Sequence, residues 1–505
     1  MSQSTSATRV TTWSSCDGTE TIRAGRTTSE RKNDILTANK FTSDSHRFDG
    51  QLLTDEISCE EASVDFGHLV KKSPRSVLYP GSVQDIVDAM ELASSNGMKV
   101  AGQGRRHSVF GRSQTEDGIV IDMSGLAQVY DVTQSDRGTE ITVEAGATWR
   151  DVFTASLTRG FTPPVLPEYL DLSVGGTIIA GGIGGTSWRN GTIADNALEL
   201  RVVTGDGRRM SCSREVNADL FDVVRAGLGQ VAIVVQATLR LVPAPLYVRR
   251  YQLMYPDLST IITDQRLLIQ QGRWDYLQGA VTPHIDGDAW LHTIDGSLLV
   301  YIEDDNVHDP LDELSDDRAR ATITSKDYPT YAKRFDSLEA SLRQTGNWDS
   351  PHPWLFTFLG QASARNTIED TMSELSAEDL GEDGRIAVSP LFTNAISSPL
   401  FRMPSENIAY TMNLFRYATP QTASEMVSGN RRIYEHVRSL GGTLNPVSAL
   451  PMTSEDWEMH FGAEWERIAT AKKKYDPNNV LTPGYEVFEH IAKLKETGRF
   501  VHRDC

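Results

Sequence analysis

The segment Gly102-Gln-Gly-Arg-Arg-His-Ser108 sets two arginines and a histidine directly behind a pair of glycines. A short strand, Lys99 to Ala101, is expected to run into it, and a strand that ends in a glycine-rich loop presents backbone N–H groups able to wrap a phosphate. The loop is therefore a candidate pyrophosphate cradle, although paired glycines also make ordinary tight turns. A second run, Val174-Gly-Gly-Thr-Ile-Ile-Ala-Gly-Gly-Ile-Gly-Gly185, concentrates glycine further. With no Cβ in the way, such a backbone comes close to something flat or charged, which suits either a cofactor or a second packed backbone. A third segment, Ala226-Gly-Leu-Gly-Gln230, precedes an apolar run from Val231 to Val242 that Pro243 and Pro245 close.

Regular elements must hold these loops in place. Ser82 with Asp85 three residues on reads as a capping box, and Ile86, Val87, Met90 and Ala93 then form one helical face that ends at Asn96-Gly97. Ile119 to Met123 and Glu140 to Glu144 read as strands. Leu198 to Thr204 and Arg208 to Ser211 flank Gly205-Asp206-Gly207 and predict a hairpin. Beyond Pro245 strands such as Trp274 to Val281 and Leu298 to Glu303 alternate with longer helical stretches, which predicts an α+β arrangement from about Tyr247 to Pro451. A helix over Glu455 to Lys474 is followed by Tyr475-Asp-Pro-Asn-Asn-Val-Leu-Thr-Pro-Gly484, whose two turn signals make a sharply folded loop.

A chain of 505 residues exceeds what one core usually supports, so two lobes or a discontinuous domain are expected. The first 45 residues, rich in Ser and Thr, read as a flexible leader. The net charge is −19, and Lys472, Lys473 and Lys474 form the only tight basic run. An acidic surface repels phosphate backbones and anionic lipid, which disfavours nucleic acid and membrane as partners. The four cysteines, at 16, 59, 212 and 505, have no CxxC spacing; neither a disulfide framework nor a zinc site is suggested, and a reducing cytoplasm fits. No apolar run approaches the ~20 residues of a bilayer span. No HExxH and no GxxxxGK[ST] motif is present, so metal hydrolysis and nucleoside triphosphate hydrolysis are disfavoured and no metal site is expected.

Seven islands in order carry a resemblance: Glu61-Ala-Ser-Val-Asp-Phe-Gly67, Pro80-Gly-Ser-Val-Gln-Asp-Ile86, Gly104-Arg-Arg-His-Ser108, Tyr169-Leu-Asp-Leu-Ser-Val-Gly-Gly-Thr177, Asn217-Ala-Asp-Leu-Phe-Asp222, Gly227-Leu-Gly-Gln230 and Leu481-Thr-Pro-Gly484. From about Asp55 to Phe488 the chain resembles the cytokinin dehydrogenase branch of the vanillyl-alcohol-oxidase flavoproteins, whose FAD domain is called PCMH-type. The resemblance implies an FAD domain assembled from both chain ends, residues 46–246 and 452–505, with an α+β cap domain over 247–451 that covers the flavin ring. It implies a covalent bond from His107 to the flavin 8α-methyl carbon. No cysteine lies between Glu168 and Gly185, so a second linkage is not expected.

The same resemblance assigns flavin contacts to Gly102, Gly104, Arg105, Arg106, Ser108 and Arg112, to Ser173, Gly175, Gly176, Ile179 and Ile183, and to Val234. It adds Thr482 and Tyr485, where the family pattern has Ser and Gln. Arg106 stands where the family usually has glycine; if that glycine serves a positive φ, Arg106 is strained.

Flavin oxidation of a C–H bond delivers hydride to N5 while a neighbouring N–H or O–H loses a proton, which a nearby carboxylate can take. The family's aspartate base, before a Tyr-Leu pair, falls on Glu168. Its cap-domain glutamate falls on Gln278 of Trp274-Asp-Tyr-Leu-Gln-Gly279, where hydrogen bonding survives and the charge does not. The expected activity is an FAD-dependent dehydrogenase or oxidase acting on an alcohol, amine or similar small molecule, with O2 or another electron acceptor. Its specificity should differ from that for an adenine-type amine. Two alternatives remain: a true cytokinin dehydrogenase, and a flavin-bound cyclase or binding protein without redox turnover.

Overall fold

The computed structural model describes residues 48–284, 289–302, 310–381 and 383–489. The expected leader, Cys16, Cys505 and the end of the expected strand at Glu303 lie outside these residues. The described chain is a mixture of helix and strand of the α+β kind.

A four-stranded sheet comes first, from β1 (Gln51–Leu53), β2 (Ser76–Tyr79), β3 (Val100–Gln103) and β4 (Ile119–Asp122) in the order β1-β2-β4-β3. Its strands β2 and β3 both run parallel to β4. The helix Val83–Asn96 crosses from β2 to β3, with Ile86, Ala89, Met90 and Ala93 buried and Gly97 ending it at φ 64°. The capping box read at its start does not form. Ser82 makes no cap hydrogen bond, because Asp85 instead accepts from the backbone N–H groups of Asp49, Gly50 and Gly81, tying β1 to the helix.

A five-stranded antiparallel sheet follows, β5 (Val129–Ser135) and β6 (Gly138–Glu144) with β8 (Ala197–Thr204), β9 (Arg209–Ser213) and β10 (Ala232–Arg240), ordered β5-β6-β10-β8-β9. Between them β7 (Phe161–Thr162) pairs with β11 (Val242–Pro243) as a short ribbon. The expected hairpin is β8–β9, with Gly207 at φ 84° in its turn.

The nine-stranded sheet draws all its strands from residues 247–444. These are β12 (Tyr247–Tyr255), β13 (Tyr276–Pro283), β14 (Trp290–Val300), β15 (Thr322–Asp327), β16 (Leu355–Gly360), β17 (Arg385–Val388), β18 (Pro390–Phe392), β19 (Ile408–Phe415) and β20 (Thr443–Leu444). The order is β15-β12-β14-β13-β17-β19-β16-β20, with β18 also on β19.

The single helix expected over Glu455 to Lys474 is two, Ser454–Phe461 and Trp465–Tyr475. Gly462, at φ 51°, lies outside the helical region and breaks the run. The following loop folds back on the first sheet: the Val100 N–H donates to Val480 O at 2.9 Å and the Thr482 N–H to Val100 O at 2.8 Å. Asp476 holds the loop's shape, accepting from the N–H groups of Val480 and Leu481 and from the buried ammonium of Lys472. Among the described residues no helix is long and apolar enough to cross a membrane.

Candidate active site

Every residue singled out above for flavin or substrate lines one cavity of about 390 Å³. Its walls are the loop after β3, the segment around Glu168 to Trp188, residues 232–234 of β10, one face of the nine-stranded sheet, and the loop at Thr482 and Tyr485. Residues more than 300 positions apart thus converge because the C-terminal loop adds to β3.

The loop after β3 is shaped by Asp65, which accepts from the Gly67 and Gly111 N–H groups and, at 2.8 Å, from the Ser108 hydroxyl. Burial raises the Asp65 carboxyl to about 6 despite these donors. Arg106 sits at φ 55°, the left-handed conformation for which glycine is suited. Its guanidinium donates to Glu61 O at 2.7 Å and its carbonyl accepts the Phe66 N–H at 2.8 Å, contacts that hold the strained residue in place.

His107 lies deep in an aromatic enclosure. Phe66 is stacked between His107 and His352, with centroids 4.0 Å from each, and Tyr169, Trp348 and Trp354 surround the imidazole. Burial, aided by the neighbouring His352, pushes His107 down to about 3. It is neutral at physiological pH, so a ring nitrogen keeps the lone pair that bond formation to carbon needs.

The glycines divide into two kinds. A Cβ on Gly104 would stand 2.0 Å from Ser173 Oγ, and one on Gly185 1.9 Å from the Tyr276 ring; these two let the protein pack against itself. A Cβ on Gly102 would meet nothing closer than Ile233 at 3.8 Å and would fill cavity space instead. Ile179, Ile183 and Val234 supply apolar wall. Buried polar atoms on the wall, Trp354 Nε1, Asn413 Oδ1 and Asn445 Oδ1, have no hydrogen-bond partner among the described residues. A neutral histidine, a glycine left open, apolar walls and unpaired polar atoms together fit a large, flat, partly polar group such as FAD. Two of the assigned residues also bond within the protein: Arg112 donates to Leu450 O and Gly484 O, and its guanidinium lies over the Tyr485 ring at 5.0 Å. Thr482 Oγ1 donates to Gly229 O at 2.7 Å, joining the third glycine segment to the C-terminal loop.

Glu168 and Gln278 meet through a residue that sequence reading missed. The Tyr276 hydroxyl faces Glu168 Oε1 and lies 3.2 Å from Gln278 Oε1. Arg334 donates to the same Glu168 oxygen at 3.0 Å and stacks over the rings of Tyr276 and Tyr331. Burial works to raise the Glu168 carboxyl, but Arg334, the Tyr276 hydrogen bond and the more distant Arg385 overcome it, and the group is held below the usual carboxylate value. Tyr276 and Gln278 are two apart on β13 and share a face, a signal the sequence contained. Arg334, from a loop 166 positions beyond Glu168, carried none. Arg385 on β17 was also missed; it lines the cavity with its guanidinium 4.4 Å from the Phe415 ring.

Residues 74–213 match the FAD binding domain family, and residues 299–488 match the family described as cytokinin dehydrogenase 1, FAD and cytokinin binding. The protein is an FAD-dependent oxidoreductase. An uncharacterized oxidoreductase, ORF5 in the fasciation locus of Rhodococcoides fascians, is 36% identical over 86% of this chain and 98% of its own length. Cytokinin dehydrogenase 7 of Oryza sativa subsp. japonica is 31% identical over 88% of this chain and 92% of its own. For cytokinin dehydrogenase 3 of Arabidopsis thaliana the figures are 29%, 92% and 94%. The chain belongs to the vanillyl-alcohol-oxidase flavoproteins, in their cytokinin dehydrogenase-like branch.

Proposed function

We propose that the chain oxidises a small organic substrate at a C–H bond beside an N–H or O–H, using FAD bound in this cavity and attached through His107. Bound FAD supplies the hydride acceptor, to be re-oxidised by O2 or another acceptor. Residues 46–246 and 452–505 would form the flavin domain and residues 247–451 the cap. The observation that carries the reading is the convergence on one cavity of the glycine loops, neutral His107, and Glu168 and Gln278, which the Tyr276 hydroxyl links.

In this reading Glu168, kept ionised by Arg334, accepts the substrate's N–H or O–H proton, directly or with Tyr276 as the intervening hydroxyl. Gln278 orients the substrate through its amide, and the aromatic rings around His107 exclude water. The described cysteines, Cys59 and Cys212, are free thiols, which supports the cytoplasm as the compartment.

The visible spectrum of purified protein, followed by acid precipitation, tests the reading. Flavin retained in the pellet and lost from His107→Ala is expected. Colour released to the supernatant would remove the covalent bond, and a protein that takes up no flavin would overturn the reading. The similarity to cytokinin dehydrogenases favours a second reading, that a cytokinin is the substrate, which turnover of isopentenyladenine decides.

A further inference from the structure

The chain carries a net charge of −19, yet the charged residues lining its cavity are four arginines, Arg105, Arg106, Arg112 and Arg385, and one carboxylate, Glu168. Glu168 is already paired with Arg334 behind the wall. Arg106 and Arg112 spend their guanidinium groups on backbone carbonyls. Among the described residues Arg385 makes no ion pair or side-chain hydrogen bond; it lies over the Phe415 ring and acts on Glu168 only through its charge at a distance.

Strand register places Arg385 on the substrate side. On β13 Ala280 pairs with Ala387 of β17, and on β19 Asn413 pairs with Ala387 and Phe415 with Arg385. Directly paired residues share a sheet face, as do residues two apart in a strand. Gln278, Arg385, Asn413 and Phe415 therefore project from one face, and all four line the cavity. At one end of this face the neutral amide of Gln278 stands with Tyr276 and Glu168; at the other stand the half-buried guanidinium of Arg385 and the Asn413 amide oxygen, which has no partner among the described residues. Phe335, Trp354 and Phe356 complete an apolar wall suited to a planar group.

We propose that the substrate of this cavity is a planar organic anion, whose carboxylate is received by Arg385 while the bond to be oxidised lies toward Glu168. A guanidinium forks onto a carboxylate through two parallel N–H···O bonds, and a site shielded from bulk water strengthens that pair. The inference rests on the reading that this cavity is the substrate site, and it explains why a carboxylate at position 278 is dispensable: for an anionic substrate a second negative charge would repel.

Calorimetric titration of the purified, flavin-loaded protein with benzoate and with the neutral isostere benzamide tests the inference. It needs no turnover, and flavin content measured beforehand decides the cofactor reading separately. Benzoate is expected to bind roughly tenfold or more tightly than benzamide. Arg385→Gln should abolish that preference, and Arg385→Lys, which keeps the charge, should retain most of it. Equal affinities, absence of benzoate binding, or a preference that survives in Arg385→Gln would overturn the proposal.

Discussion

Arg334 donates to Glu168 Oε1 across 3.0 Å, with Glu168 on the cavity wall and both side chains half-buried. The pair fixes the ionisation of the carboxylate proposed as base. With its carboxyl below the usual value, Glu168 is charged across the neutral range, and an acidic limb it controls falls below the ordinary glutamate region. Arg334→Gln removes the first-named stabiliser of the charged form, and burial then dominates. The acidic limb of kcat/KM should move upward, with activity lost first at low pH. A limb that stays in place would show that another group accepts the proton.

Arg106 inverts the usual order of small substitutions. At φ 55° an alanine keeps the left-handed strain and loses the bond to Glu61 O, whereas a glycine loses the bond and the strain together. Arg106→Gly is therefore expected to be about 1 kcal/mol more stable than Arg106→Ala, opposite to the order in an ordinary helix or strand. Urea unfolding of the two variants measures the difference.

Periodic elements and glycine loops were legible in the sequence because they depend on neighbours a few residues away. The helix Val83–Asn96, the β8–β9 hairpin and the strand entering the Gly102 loop are of this kind. Elements decided by distant partners were not. Asp85 was read as a cap residue and is a tether for Asp49 and Gly50, and Gly462 was passed over inside an apparently continuous helix. Around the cavity the glycines and His107 were visible from local pattern and resemblance. The residues that set charge and shape, Tyr276, Arg334, His352 and Arg385, arrive from elsewhere in the fold. Gly185 joins the two cases: its missing Cβ admits the Tyr276 ring that reaches Glu168.

Buried histidines make the fold acid-sensitive. His352 is pushed down to about 4 and His460 to about 3, chiefly by burial, and neither ring nitrogen of His460 has a hydrogen-bond partner among the described residues. In the unfolded chain both bind protons below about pH 6.5, so between there and pH 4 the unfolded state holds more protons and stability falls with pH. Asp65 opposes them: raised to about 6, it is protonated in the fold where the unfolded chain is not, adding stability below pH 6 that is lost as pH rises. His107, likewise pushed down to about 3, adds a third such histidine, so the net of these four groups is about two protons, ~2.7 kcal/mol per pH unit near pH 5. His460→Phe removes an uncompensated polar ring from the contacts with Trp457 and Phe461 and should flatten the slope. Urea midpoints at pH 7 and pH 5 supply the test, and an unchanged slope would exclude His460 as a contributor.

Gln278 separates an anionic substrate from a cationic or neutral amine. The Tyr276 hydroxyl lies between Gln278 and Glu168, so Gln278→Glu creates two carboxylates around one hydroxyl. Like charges at that spacing cannot both ionise easily, and the pair's upper macroscopic pKa should rise toward neutrality. A proton-sharing pair attracts an adenine-type amine and repels a carboxylate approaching from Arg385. Turnover of isopentenyladenine by Gln278→Glu should therefore rise at least tenfold over the parent, while benzoate affinity falls by a similar factor. A rise in amine turnover with benzoate binding unchanged would place Arg385 outside the reach of position 278 and separate the two ends of the cavity face. A fall in both would mean that the amide of Gln278 is needed to shape the site whichever substrate it holds.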